Sequence, residues 1–377
     1  MASGKTAAAL DIVRRCIGEK GIWASTDRYA DTCWNRDAAL TVIPWLLEAH
    51  NQPSEEKKIP STNIDIVVKH LLGIQQRQLE NGKVPILFLD NVERFVTKKK
   101  EKAIRTGKPS FMLTRHEEGS LENLTPHTRD GELLHILAVN QLLQLVPNIA
   151  CAKVLKDSAD KALSYVENTL LAKSPLVMGA DWRDTREDLN DKCVLTNAVL
   201  LKQVYTVLHM KEKEQKIHAI LKTFWNGTYF NDYEGNSSFD VLGNALSILY
   251  DVATTDQMEL IFTHAIGLTT PYGIKMTEVF LPALSGKEEE IMTRDQAVIW
   301  PFVTGFMLLA IVQKGNKMWV EIATKEFAKW CALDGFFEWY AISTGEGFGS
   351  IEQVWSAAMF LRLNHALLLK TPTTTTA

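Results

Sequence analysis

Residues 179–188, GADWRDTRED, gather four acids and two arginines around Trp182. A carboxyl pressed against an indole in a closed pocket loses hydration, resists ionisation and can deliver a proton. On an open surface the same ten residues are a solvated charged turn. Asp181 and Asp184 flank the indole closely enough to serve in the first way. The dipeptide Arg-Asp recurs in NRDAALTVIPW, TRDGELLHILA and TRDQAVIWPF, so Arg36 with Asp37, Arg129 with Asp130 and Arg294 with Asp295 each precede an apolar run. Aspartate at such a place is a good helix N-cap, which gives the dipeptides a plain structural role. If the helices they open share one end, the acids and arginines also converge on one rim and build a pocket. Trp34, Trp182, Trp300 and Trp355 stand near the starts of apolar runs. An indole there can bury in the core or stack on a sugar face.

Helices must position these groups. AALTVIPWLLEAH, ELLHILAVNQLLQLV, NAVLLKQVYTVLHM, GNALSILYDVA, AVIWPFVTGFMLLAIV and QVWSAAMFLRLNHALLL carry apolar residues at i, i+3 and i+4, and clean two-residue alternation is nearly absent. More polar segments, such as SADKALSYVENTLLAK and KMWVEIATKEFAKWCALD, lie between them. This alternation predicts an all-α ring of two layers, about six inner helices covered on both sides and about six outer ones wetted on one. No linker divides the chain, so one domain is expected over 1–370, with the low-complexity TPTTTTA of 371–377 as a frayed tail. The stretch 93–128 is charged and weakly periodic. It reads as a long flexible loop whose ends place it over the pocket as a lid. Its basic cluster of Lys98, Lys99, Lys100, Lys102, Arg105 and Lys108 can meet an anionic partner, although a solvated surface is the simpler reading.

With 46% hydrophobic residues in 377, the chain can bury a large core, and its net charge of -4 gives no global basic field for nucleic acid or anionic lipid. Five scattered cysteines without a CxxC pair read as free thiols in a reducing compartment. Neither a signal-peptide core nor an apolar run of membrane-spanning length is present, so a soluble, cytoplasmic protein is expected. SGKT at 3–6 lacks the upstream glycine of a phosphate loop, and the nine histidines show no HExxH or other ligand spacing. We expect neither a metal nor an organic cofactor.

Taken in order, YADTCWNRDAALTVIPWLL, NGKVP, DWRDTREDL with LTNAVLLKQVY, FDVLGNALSILYDVA and FFEWYAISTGEGFGSIEQVWSAAMFL resemble blocks of the helical-toroid glycosidases. These are the amylo-α-1,6-glucosidase-like proteins of the glycogen debranching group and the neutral/alkaline invertases. The resemblance spans 29–361 and implies an (α/α)6 toroid carrying an inverting, exo-acting glycoside hydrolase. In that chemistry one carboxyl protonates the leaving oxygen while another activates water from the opposite face. The resemblance implies Asp184 as the acid, with Asp181 the competing choice, and Glu338 as the base ahead of Glu346 and Glu352. Arg36 and Asp37 would bind hydroxyls of the non-reducing sugar, a bidentate task that suits both groups. Arg129, Asp130, Asn197 and Asn244 would assist, with Asp240 beside Asn244, and the four tryptophans would complete the sugar site. The implied partner is a carbohydrate substrate, with no nucleic acid and no membrane. Two alternatives stay open: a sugar isomerase or epimerase using His135 or His365, and a carbohydrate-binding protein without activity.

Overall fold

The computed structural model describes residues 2–48, 61–278, 290–291 and 294–370. Thr293 and the tail 371–377 lie outside the described residues. The chain is mostly helical. The first apolar helix is a composite of Asn35–Asp37, a π turn Ala38–Val42 and Ile43–Glu48. Gly131–Leu145, Leu195–Val207, Val241–Leu249, Pro301–Lys314 and Val354–Lys370 follow. Each packs on the next, and the last returns to pack on the first. Outside them lie Ala2–Arg15, Ser61–Gln75, Ala152–Tyr165, Lys211–Leu221, Thr255–Gly267 and Lys317–Ala332, each against a member of the inner set.

The sequence accounts for this layering. All residues from Pro301 to Val312 are buried, as expected of a helix that is apolar around its whole circumference. By contrast, Ala152–Tyr165 buries only the stripe Leu155, Ser158, Ala159, Ala162 and Tyr165, one face of an amphipathic helix. No described helix is long and apolar enough to cross a membrane.

Short strands stitch the N-terminal ends of the inner helices together. Thr32–Trp34 pairs antiparallel with Leu87–Leu89, Trp34 facing Leu87. Val298–Ile299, Trp339–Ala341 and Gly347–Phe348 form a three-stranded sheet. Two or three residues are too few for alternation to register in a sequence, yet these strands carry the chain to Trp34, Trp300 and Glu338.

The stretch 93–128 is not the loop its composition suggests. Val92–Thr106 and Phe111–Glu117 are helices, followed by a tight turn at Leu121–Asn123. The Arg94 amide donates to Asn91 Oδ1 at 2.9 Å and caps the first helix, and Gly107, at φ 66°, ends it in the left-handed region. Phe95 is buried in a small core with Trp34, Leu87, Leu89, Met112 and Leu121. The lysines masked the helical stripe of Val92, Phe95, Val96 and Lys99, whose members recur every three or four residues.

Candidate active site

A cavity of about 130 Å³ opens at the N-terminal ends of the inner helices. Tyr29, Trp34, Trp182, Trp300, Trp339 and Trp355 wall it, and Arg36, Asp37, Asp184 and Glu338 bring charge to it. Trp182 meets Trp300 edge-on at 5.3 Å and Phe302 at 5.0 Å, and Phe302 stacks on Trp355 at 4.1 Å. The indoles are therefore wedged against one another and hold their orientation. The ring nitrogens of Trp182 and Trp355 and Oε1 of Gln353 are buried without a protein partner. Buried polar atoms are rarely left in that state.

Glu338 is held by backbone. It precedes the strand Trp339–Ala341, its amide donates to the Ser350 carbonyl at 2.8 Å, and Oε2 accepts from the Ser350 amide at 3.0 Å. A side chain at Gly349, where φ is 77°, would stand 2.4 Å from Glu338 Oε2, so glycine is needed both for the turn and for the carboxylate's place. Tyr29 donates to Oε1 at 3.5 Å, and Arg28 lies 3.8 Å from Oε2. Asp27 accepts from the Ser350 hydroxyl and, at 3.1 Å, from the Ile351 amide, anchoring the same turn. Sequence reasoning missed Asp27, Arg28, Tyr29, Gly349 and Ser350. The signal available was local: YADTCWNRD opens with Tyr29, and GFGS places a glycine just before the anchoring turn.

Asp184 projects from a loop and is shared between two contacts. Arg36 reaches its Oδ2 at 3.4 Å, and His127 Nε2 lies 2.6 Å from its backbone carbonyl. Arg36 itself is buried and forks onto Asp130, at 2.6 and 3.2 Å. Asp130 occupies the N-cap position of Gly131–Leu145 but makes no side-chain cap bond there, since both oxygens go to Arg36. Asp37 lies within the first helical turn and accepts from Gln353 Nε2 at 3.0 Å. Asp295 turns to Arg294 and Ser343. None of the four aspartates of the Arg-Asp dipeptides caps a helix through its side chain, against the sequence expectation. Arg36, Gln353, Arg294 and Ser343 take these oxygens, and Asn91, Asp240, Thr254 and Asn316 do the capping.

Several sequence candidates fall outside the cavity lining. Asp181 is fully buried and accepts from the Arg183 side chain at 2.9 Å through each oxygen, while Arg183 also forks onto Asp232 at 2.7 and 2.8 Å. Burial alone would raise the Asp181 pKa, but the charge and hydrogen bonds of Arg183 outweigh it and hold the group ionised. A group locked in that way fixes the loop, and Asp181 does not line the cavity. Arg129 is turned to the Pro126 carbonyl. Asn197 donates to the carbonyls of Gly179 and Ala180 and leaves its buried Oδ1 without a partner, whereas Asn244 is spent on the backbone of Phe230 and Asp240. His135 is buried against Ser158, and neither it nor His365 lines the cavity. Glu352 is engaged by Arg15 and Thr26.

Burial pushes the Asp37 carboxyl up to about 8, with the charges of Glu338 and Asp184 adding to the effect and Arg36 opposing it. Between the ordinary carboxyl range and that value the folded chain holds a proton that the unfolded chain has lost, so this group lowers stability as pH rises. Asp240 and Glu132, raised by burial to about 7, act in the same direction. In denaturant unfolding, the stability of Asp37→Asn relative to the parent should therefore increase from about pH 5 to about pH 8. A constant difference would return Asp37 to the ordinary range.

No protein-family model matches the sequence, and no curated protein resembles it in sequence. Solved structures do share its fold. A GH63 mannosylglycerate hydrolase from Thermus thermophilus, solved with Tris and D-glycerate, superposes with a TM-score of 0.60 at 12% identity, over 95% of this chain and 99% of that one. An uncharacterised conserved protein from the same organism gives 0.63 at 12% identity over 95% and 98%, and a glycosidase in complex with glucose gives 0.60 at 10% identity over 98% of both chains. The chain thus has the fold of helical glycosidases, as the order of its sequence blocks implied.

Proposed function

We propose that this chain is an inverting, exo-acting glycoside hydrolase on an (α/α)6 toroid, with Asp184 as general acid and Glu338 as general base. The observation that carries the reading is the meeting of these two carboxyls, from blocks more than a hundred residues apart in sequence, on one small cavity walled by tryptophans. Closure of the inner helices into a circle supports the toroid. At about 130 Å³ the cavity falls below the roughly 300–1,000 Å³ of ordinary ligand pockets. That size favours a single terminal sugar over an extended chain. The sugar would stack on the indoles and hydrogen-bond to Asp37 and Gln353, its leaving oxygen toward Asp184 and its anomeric carbon open to water held by Glu338. An isomerase built on His135 or His365 finds no support in their positions, away from the cavity lining.

A panel of disaccharides and aryl glycosides at mildly acidic and neutral pH tests the activity, and proton NMR of the first product tests the stereochemistry. The initial anomer should be inverted on this reading, since the inverting mechanism sets a water between carboxyls that it requires about 6.5–9.5 Å apart. A retained product would make one of them a nucleophile. Tight sugar binding without turnover across the panel would leave a carbohydrate-binding protein.

A further inference from the structure

The aromatic cavity continues into a second one of about 810 Å³, and Arg28, Tyr29, Trp34, Asp184 and Thr185 line both. A group departing past Asp184, away from the inner cavity, enters this vestibule. Its far wall is the helix Val92–Thr106 and the segment after it, which contribute Lys99, Lys102, Lys108 and Arg115. The acids facing them in the lining are Asp184 and Glu187, in a chain whose net charge is -4, so the positive excess is local to this wall.

Three of the cations around the vestibule are already engaged. Lys99 donates to the Arg28 carbonyl at 2.9 Å, Arg115 pairs with Glu118, and Arg28 lies near Glu338. Lys102 and Lys108 have no acidic partner among the described residues. Lys99, on the same helix as Lys102, is buried, and that burial pushes it down to about 8. Lys102 and Lys108 themselves stay exposed, so what bears on an anion is the excess of cations lining one cleft, which concentrates field on whatever enters it.

We infer that the vestibule receives an anionic leaving group and that Lys102 and Lys108 select for it. The inference rests on the hydrolase reading for what the anion is attached to, but the site itself can be tested apart from turnover. For whichever sugar the panel identifies, the 4-carboxybenzyl glycoside should exceed its methyl ester in kcat/KM by about 10-fold, equivalent to about 1.4 kcal/mol. That ratio should fall toward one in Lys102→Gln/Lys108→Gln and with added salt, since exposed charges are screened. The benzyl carbon insulates the leaving oxygen from the substituent, so leaving-group acidity does not produce the ratio. Turnover with equal values for acid and ester, or a ratio unmoved by the double substitution, overturns the inference and leaves the hydrolase standing.

Absence of turnover on any glycoside sinks the hydrolase instead, and direct binding then decides about the wall. Tryptophan fluorescence, with Trp34 in the lining, is titrated with citrate, with inorganic phosphate and with sorbitol as the neutral control. Saturable quenching by an anion, about 10-fold weaker in the double variant and absent with sorbitol, upholds the anion site. Stronger response to citrate assigns carboxylates, and stronger response to phosphate assigns phosphoryl groups. No quenching, or equal quenching in both proteins, removes the site.

Discussion

Glu338→Gln should lower hydrolysis by about 10²–10⁴ on substrates with good and poor leaving groups alike. Water attack is common to both, and an amide cannot take the proton that the attacking water must lose. The substitution is conservative for the fold. The Glu338 backbone bond to Ser350 does not involve the side chain, and the Gln carbonyl oxygen can still accept from the Ser350 amide. Thermal unfolding should therefore stay close to the parent while steady-state rates collapse, and a parallel loss of both would mean that the turn at Gly349 had given way. Full activity in Glu338→Gln would remove Glu338 as the base, and Asp37, the remaining carboxyl of the aromatic cavity, is pushed by burial up to about 8, is protonated at neutral pH and could not replace it. Glu352, bound to Arg15, and Glu346 do not line that cavity.

What was legible in advance followed from features with strong local signatures. Helices apolar around their whole circumference announce burial on both sides, so the inner set could be read from the chain. Trp34, Trp182, Trp300 and Trp355 stand beside the starts of inner helices or the loops before them, and the structure brings all four to one cavity. The failures have equally local causes. Lysines hid the stripe of Val92–Thr106, because periodicity is scored on apolar residues and this helix buries Phe95 and the stem of Lys99. Asp181 and Asp184 look alike in GADWRDTRED, but Asp181 Oδ1 accepts from both the amide and the side chain of Arg183, two residues on, while Asp184 stays on the cavity. Asn197 and Asn244 sit where a ligand contact was expected, yet bare carbonyls of neighbouring loops claim their amides. Such competition between a ligand and the backbone for one polar group has no one-dimensional signature.

The same distinction sets up the second large effect. Asp184→Asn removes the proton that a poor leaving oxygen needs, and turnover of an alkyl glycoside should fall by about 10²–10⁴. A glycosyl fluoride or dinitrophenyl glycoside departs without protonation and should keep most of its rate, and this split separates a proton donor from a residue that merely binds sugar. The local structure tolerates the change: Arg36 retains both contacts to Asp130, and His127 meets the backbone carbonyl of residue 184, which the substitution leaves in place. Equal losses on both substrate types would make Asp184 an electrostatic or binding group. An unimpaired enzyme would remove it from the chemistry, and Asp181, which Arg183 holds with a lowered pKa and which does not line the cavity, would be a poor replacement. The cavity carboxyl then placed to give the proton is Asp37, which burial pushes up to about 8, and a rate that fell as pH rose through that value would identify it.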